Sequence, residues 1–420
     1  MAYQTLRGFY DILPGETNKW QAMESLIRTV CALYDYHEIR TPIMEQLKVF
    51  KRDNDSSDVV NKEMYAFEMN HDHYCLRPEG TAGVTRSVVE HKLYAQDLPL
   101  KLYYMGEMFR HERPQKGRQR QFNQFGIENI GVKSPIIDAE CIALGYSVVK
   151  SFGINSIKVL INTLGDEESR ANYREALRLH FKDHLDDLCD DCKRRYEQNP
   201  LRILDCKVDH DHVAVQTAPS LKDYLNEESK AYFNEVLATL DLLGIPYEID
   251  DRLVRGLDYY THTVFEVVSV HDDAGSQSTI FGGGRYDNLM EYFGGPKMSG
   301  VGFAIGLERL MMLIEAEGHI ECEDEGIDVY VMSLGSYQKE ALNVATVLRA
   351  AGYTTEVNMQ ERSMKAQFKN ADRKKCKFVV IVGEDEVKNN TYALKNQTTK
   401  EQVNVSLEEI VETIDKMMEE

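Results

Sequence analysis

The sequence predicts an α+β protein, in which a domain built on an antiparallel sheet flanked by helices carries a helical insertion and is followed by a small α/β domain. Three observations carry this. Strand-like runs rich in β-branched and aromatic residues recur at Leu100–Tyr104, Met108–Glu112 and Gln119–Ile130, with a polar loop holding Pro114 and Gly117 between the last two. Residues 165–240 turn strongly charged and helix-spaced, as an insertion would. Beyond an acidic, loop-like stretch from Glu315 to Gly326, strand and helix patterns alternate. A length of 420 residues suits two or three domains, here 1–322 (with the insertion) and 327–420.

The elements follow in order. Met23, Leu26, Ile27, Val30, Leu33 and Tyr34 fall at helical spacing and predict a helix over Lys19–Tyr36. A strand over Tyr36–Ile43 follows and stops at Thr41-Pro42, since proline disfavours continuation. After the three sheet strands, Ile136–Phe152 reads as a helix and Ile157–Asn162 as a strand. Within the insertion, Arg170–Leu185 and Lys230–Leu243 are amphipathic helices. The sheet resumes with Arg255–Val270 and Ser278–Gly282, and a helix starts near Gly306. The last domain reads Asp328–Leu334, Gln338–Ala351, Tyr353–Asn358, Glu361–Ala371 and Lys377–Val382, strand alternating with helix, which implies right-handed crossovers.

Bulk properties narrow the function classes. A formal charge of −20 and a pI near 5.1 argue against a protein that coats nucleic acid nonspecifically, a mode that needs broad phosphate neutralisation. A local basic surface remains compatible. The N-terminus lacks the apolar run of a secretory signal and nothing approaches membrane-span length, so a cytoplasmic protein with no membrane association is expected. Eight cysteines then read as reduced thiols. Cys189 and Cys192, followed by Cys206, His210 and His212, have the ligand types for zinc, but the second half lacks a clean paired spacing. No metal is expected from the protein's own side chains.

Chemistry concentrates in a few segments. Phe109-Arg110-His111-Glu112-Arg113-Pro114-Gln115-Lys116-Gly117-Arg118-Gln119-Arg120-Gln121-Phe122 sets cationic side chains on two strands and their connecting loop, in an otherwise acidic chain. Arginine forks grip phosphate and stabilise charge developing in a displacement. Leu253-Val254-Arg255-Gly256-Leu257-Asp258-Tyr259-Tyr260-Thr261-His262-Thr263-Val264-Phe265-Glu266 offers charge and ring stacking where a strand begins. Gly300–Leu310 puts small residues on a strand entering a helix with Arg309 in its first turn, a place where a flat ring can approach the backbone. It is neither a dinucleotide fingerprint nor a P-loop, which disfavours a dehydrogenase or a P-loop ATPase. Leu76-Arg77-Pro78-Glu79-Gly80-Thr81-Ala82 holds a carboxylate and a hydroxyl that could face a small ammonium group, although Thr81 is also a natural N-cap. Gly282-Gly283-Gly284-Arg285-Tyr286-Asp287 reads as a tight turn.

In order and spacing, Pro42, Phe109–Phe122 and Gly300–Arg309 resemble the three signature motifs of class II aminoacyl-tRNA synthetases. Leu253–Glu266 and Gly283–Asn288 resemble the two histidine-specific signatures of the histidyl-tRNA synthetase family, and Leu76–Ala82 its amino-acid loop. The resemblance covers nearly the whole chain. It departs at Asp53-Asn54-Asp55-Ser56-Ser57, where a glycine-bearing loop is usual, at Glu107, where proline is common, and at Gln119, where tyrosine is common.

The resemblance implies a class II synthetase-like catalytic domain, an anticodon-binding C-terminal domain and a homodimer whose interface lies around Glu38–Glu45. It implies ATP-dependent activation of L-histidine to histidyl-adenylate and transfer to the 3′ end of histidine tRNA. ATP would bind with Mg²⁺ on its phosphates, Arg110 on the α-phosphate, Arg118 on the γ-phosphate, Arg309 as a clamp and Glu112 at the adenine. Arg255 would serve the histidine carboxylate and the α-phosphate, so Arg255 and Arg110 are the expected catalytic groups. Glu79, Thr81 and Gln124 would hold the α-ammonium, Glu128 and Tyr260 the imidazole, and Tyr259 and Tyr286 would line the pocket. A carboxylate and a phenol can together read the donor and acceptor edges of a neutral imidazole. Arg113 and Gln115 would meet the acceptor end of the tRNA. Arg362, Lys365, Lys369 and Arg373, recurring on one helix face, would meet its phosphates. The competing reading is a noncatalytic, histidine-sensing regulatory paralogue of ATP phosphoribosyltransferase. That subunit generally lacks the C-terminal domain and part of the arginine set, all of which are present here.

Overall fold

The structure is a computed structural model that describes residues 3–52, 57–255, 259–270, 279–320 and 326–419. The expected Gly256-Leu257-Asp258 turn and most of the departing Asp53–Ser57 loop lie outside the described residues. The chain folds as two compact units, Met1–Cys322 and Glu323–Glu420. No helix among the described residues is long and apolar enough to cross a membrane.

The first unit is organised by an eight-stranded sheet in the order His37–Glu38, Leu100–Phe109, Gln121–Ile130, Gly300–Gly306, Thr279–Tyr286, Thr261–Ser269, Ile157–Thr163, Tyr247–Ile249. Its six central strands pair antiparallel and the two short outer strands pair parallel. Because successive side chains on a strand point to opposite faces, the register sorts residues by parity. Tyr103, Phe125, Ile127, Phe303, Phe281 and Phe265 fall on one face and pack into the main core. Helices Glu16–Leu33, Pro135–Ser151 and Leu307–Glu317 cover that face through Ile27, Ile142 and Leu310 among others. Each such fully buried side chain contributes about 1.5–3 kcal/mol. Tyr104, Gln124, Glu128, Gly302, Gly282, Tyr286 and Glu266 fall on the other face, where a smaller apolar cluster of Val84, Val88, Leu100, Met108, Ile130 and Met290 leaves room for polar groups.

Two local expectations give way. The sequence suggested separate strands at Leu100–Tyr104 and Met108–Glu112, but Leu100–Phe109 is continuous. Gly106 is not a break: a Cβ there would lie 2.7 Å from the Arg77 guanidinium, which crosses the strand to donate to the Glu107 carbonyl. Gly282-Gly283-Gly284 is likewise not a turn but the middle of the Thr279–Tyr286 strand. There it faces Gly302 and its neighbours across the ladder, so backbone approaches backbone closely.

The insertion has its own core, drawn from Leu164, Tyr173, Leu177, Phe181, Cys192 and residues on to Leu225, joined by Tyr260 and Val264 from the sheet. Its helix Glu167–Phe181 is capped by Asp166, which accepts from Ser169 N at 2.8 Å. Helix Glu227–Leu242 belongs instead to the main core through Phe233, Val236 and Leu240. The insertion's own packing thus ends before the residue-240 boundary that charge patterning suggested.

In the second unit a five-stranded sheet runs Thr355–Val357, Val329–Ser333, Phe378–Val382, Thr391–Asn396, Gln402–Ser406, the first three parallel and the rest antiparallel. Helices Gln338–Ala350 and Ile410–Glu419 pack on one face and Met364–Arg373 on the other. Burial of both faces explains the unbroken apolar run of Phe378–Val382.

Candidate active site

Four strands of the polar sheet face deliver their ends to one cavity of about 290 Å³. Arg110, Arg118, Arg255 and Arg309 all line it, with Glu112, Gln124, Glu266 and Glu308. The arginines come from three separated stretches of sequence, as expected. Arg110 follows the strand Leu100–Phe109, donates from Nε to the Pro78 carbonyl at 2.8 Å and lies over the Phe122 ring. Arg118 pairs with Glu112 at 3.0 Å. Arg309, in the first turn of its helix, is held by two carbonyls: Nε donates to Gly117 O at 3.2 Å and Nη1 to Thr279 O at 2.7 Å. Arg255 pairs with Glu266, whose other oxygen accepts from Thr279 Oγ1 at 2.9 Å.

This clustering has an electrostatic signature. Burial, then Arg118 and more weakly Arg110, lower the Arg309 pKa, only partly offset by Glu112 and Glu266. Like charges held this close in a desolvated recess call for an anion. Arg255 Nε and Gln124 Oε1 are buried without a hydrogen-bond partner, donor and acceptor left for something that enters.

On the same sheet face lies a recessed, buried cluster of polar side chains around Glu128. Glu128 is fully buried, and its two oxygens accept from Thr81 Oγ1 and from Tyr286 OH, each at 2.6 Å. Gly302 makes room for it, since a Cβ there would lie 2.3 Å from the carboxylate. Tyr259 stacks against Tyr260, with centroids 4.9 Å apart, and edge-on against Tyr286 at 5.8 Å. The Tyr104 and Tyr259 hydroxyls are buried without partners. Glu79 is buried, its pKa raised by burial and tempered by backbone N–H donors. Those donors are Thr81 N at 2.6 Å and Ala82 N at 3.0 Å, so Glu79 caps the helix Thr81–Glu90. Thr81 was expected as a natural cap, but the carboxylate two residues earlier takes the free amides and leaves the hydroxyl for Glu128.

Burial pushes Glu128 up to about 8, with the Thr81 and Tyr286 hydroxyls opposing that shift. In the unfolded chain the group returns to its ordinary 4.5, so the native state binds the extra proton between these values. The stability it contributes is present below about 4.5 and lost as pH rises through about 8. Glu128→Gln, neutral throughout, should therefore gain in melting temperature relative to the unmodified chain as pH is raised across that window. Parallel stability curves for the two proteins would refute the assignment.

The remaining expected residues lie elsewhere. Arg113 and Gln115 are exposed in the loop after Leu100–Phe109. In the second unit Lys365, Lys369 and Arg373 are exposed on the helix Met364–Arg373. Arg362 is exposed too but precedes the Ser363 N-cap, so it is not on the helix face as its spacing implied. Sequence reasoning gave no role to Glu266, although it closes the quoted Leu253–Glu266 stretch, nor to Arg52, whose guanidinium lies 4.9 Å over the Tyr259 ring. Cys189, Cys192 and Cys206 converge, with Asp209, to within 4.8 Å of one another. His210 is exposed, and His212 Nδ1 accepts from Ala214 N.

Comparison with known proteins agrees with this geometry. Residues 8–310 match the family model described as histidyl-tRNA synthetase, and residues 328–417 match an anticodon binding domain. The histidine–tRNA ligase of Bacillus licheniformis is 50% identical over 415 residues, covering 98% of each chain, and that of Bacillus subtilis has the same identity and coverage. The crystal structure of apo Staphylococcus aureus histidyl-tRNA synthetase superposes with a TM-score of 0.83 at 39% identity, covering 98% of this chain and 100% of that one. A Bacillus halodurans structure titled as an ATP phosphoribosyltransferase regulatory subunit/histidyl-tRNA synthetase, at 21% identity and a TM-score of 0.64, shares the fold. With most of its length matched by one family model and half its residues identical to those relatives, the chain belongs to the histidyl-tRNA synthetase family.

Proposed function

We propose that this protein is a class II histidine–tRNA ligase: it activates L-histidine with ATP and transfers the histidyl group to the 3′ end of histidine tRNA. One observation carries the reading: four guanidinium groups line a single cavity on the sheet face that holds the recess around Glu128. The histidine carboxylate attacks the α-phosphorus, a new P–O bond forms, and pyrophosphate leaves with the electrons of the bond that breaks. Arg110 and Arg255 meet the charge that builds at the α-phosphate, Arg118 and Arg309 that on the outer phosphates, and Glu112 faces the adenine. A terminal tRNA hydroxyl then attacks the histidyl carbonyl and adenylate leaves as AMP. Positioning and fixed charge supply most of the acceleration.

In the recess, Glu79, Thr81 and Gln124 face the α-ammonium while Glu128 and Tyr260 read the imidazole, with Tyr259 and Tyr286 as walls. Histidine binding then exchanges a Glu128 hydroxyl partner for a ring nitrogen. Mg²⁺ would accompany the nucleotide. The oxygen donor that fits it is the Glu266 carboxylate of the cavity wall, and it would neutralise phosphate charge. The protein works in the cytoplasm as a homodimer. Support for the dimer lies around Pro42, where Ile43, Met44, Phe67 and Met69 leave apolar surface exposed on or beside the small sheet of Met44–Gln46, Asp72–Leu76 and Ala66–Met69. Arg113 and Gln115 approach the tRNA acceptor end, and Arg362, Lys365, Lys369 and Arg373 bind tRNA phosphates from the second domain.

The regulatory-paralogue reading is set aside by the complete arginine set and the matched C-terminal domain. The test is ATP–pyrophosphate exchange by the isolated protein, expected to depend on histidine and to need no partner. Lys365→Ala with Lys369→Ala should keep that exchange and weaken tRNA charging. Histidine binding without exchange would restore the sensing alternative.

A further inference from the structure

Outside the active site, the insertion holds a group of side chains that the proposed reaction does not use. We propose that Cys189, Cys192, Cys206 and Asp209 form a structural zinc site. Their ligand atoms lie within 4.8 Å of one another, and Cys192, Cys206 and Asp209 are buried. Zinc–thiolate bonds of about 2.3 Å place tetrahedral ligand atoms about 3.8 Å apart. Cys189 Sγ and Cys206 Sγ are 3.7 Å apart, and Cys206 Sγ and Asp209 Oδ2 also 3.7 Å. Hydrogen bonds from the Cys206 thiol and the Cys189 amide hold the Asp209 carboxylate among the sulfurs, and three thiolates with one carboxylate complete the coordination zinc prefers.

The surroundings are those of a ligated anion cluster. Cys189 is the N-cap of the helix Asp190–Gln198 and Cys192 lies in its first turn, where the helix dipole favours negative charge. Asp209 N donates to Cys206 Sγ at 3.4 Å, and Cys189 N donates to Asp209 Oδ2 at 3.0 Å. Such N–H donors fix the orientation of the ligands around a metal. Cys189 is partly exposed, which leaves an entry path. Binding would release the thiol protons and close the segment from Cys189 to Cys206 into a loop.

That loop reaches the catalytic sheet. Arg202, four residues before Cys206, is buried and donates from Nη1 to the Arg255 carbonyl at 2.7 Å, while Arg195 donates to the Arg202 carbonyl at 3.0 Å. A metal clasp at the cysteines therefore fixes the segment that braces the backbone of Arg255.

The full-length protein, purified under reducing conditions, offered zinc and then dialysed, is expected to hold about one zinc ion per chain by elemental analysis. Cys192→Ser should lose it, and Cys376→Ser, in the other unit, should not. Cobalt in place of zinc should give an intense near-ultraviolet thiolate charge-transfer band that Cys192→Ser abolishes. The proposal fails if the unmodified chain retains no zinc, or if Cys192→Ser retains as much as the unmodified chain. Should Cys192→Ser misfold, the cobalt spectrum of the unmodified protein decides alone: a band without thiolate character contradicts the site.

Discussion

Arg255→Ala should lower histidine-dependent ATP–pyrophosphate exchange by about a hundred- to a thousandfold, the loss typical of removing one preorganised charge donor from a reacting centre. The geometry makes the effect twofold in origin. The variant removes a guanidinium from the cavity shared with Arg110, Arg118 and Arg309, and it leaves the Glu266 carboxylate unpaired where nucleotide phosphates must come. Arg255→Lys should remain poor, because a point charge does not reproduce a planar fork. Circular dichroism would establish that the fold persists, and near-normal exchange in Arg255→Ala would contradict the assignment.

The largest effect on stability is expected at Arg285→Ala. Arg285 and Asp138 are both 0% exposed, and they tie the Thr279–Tyr286 strand to the helix Pro135–Ser151. Arg285 Nε donates to Asp138 Oδ1 at 2.8 Å, and the carboxylate also accepts from Thr263 Oγ1 at 2.6 Å and Tyr232 OH at 3.2 Å. Burial already raises the Asp138 pKa, with Arg285 the main force against it. Truncating the arginine leaves a buried charge without its partner, which costs about 3–5 kcal/mol. Replacing the pair by apolar residues, as in Arg285→Met with Asp138→Leu, should recover much of that. Denaturant midpoints measure both, and a double variant no better than Arg285→Ala would show that the cost lies in lost packing rather than in the stranded carboxylate.

The parity of apolar residues was enough to read most of the central strands, and the excess of arginines in an acidic chain was enough to point to the cavity that Arg110, Arg118, Arg255 and Arg309 line. What escaped reading was set by distance in sequence. Gly106 and Gly282–Gly284 look like punctuation, and only the folded neighbours, Arg77 in the first case and the facing strand in the second, reveal them as strand interior. Glu79 displaced Thr81 as a cap because a residue outside the usual position reached the same amides. Glu266 carries no local mark, since its meaning depends on Arg255, 11 residues earlier in the chain. Asp209 was hidden by two histidines that follow it and look like better ligands. In the second domain, the strands Thr391–Asn396 and Gln402–Ser406 are short and alternate weakly, so their pairing with the parallel strands was not legible.

The recess is dimensioned by atoms its floor lacks. At positions 282 and 302 the hydrogen atom of glycine is all that separates the main chain from Arg255 and Glu128, so even a methyl group would evict a reactive side chain from its seat. Positions that supply no functional group therefore help to shape the site, and a survey that scores only reactive residues would pass over them.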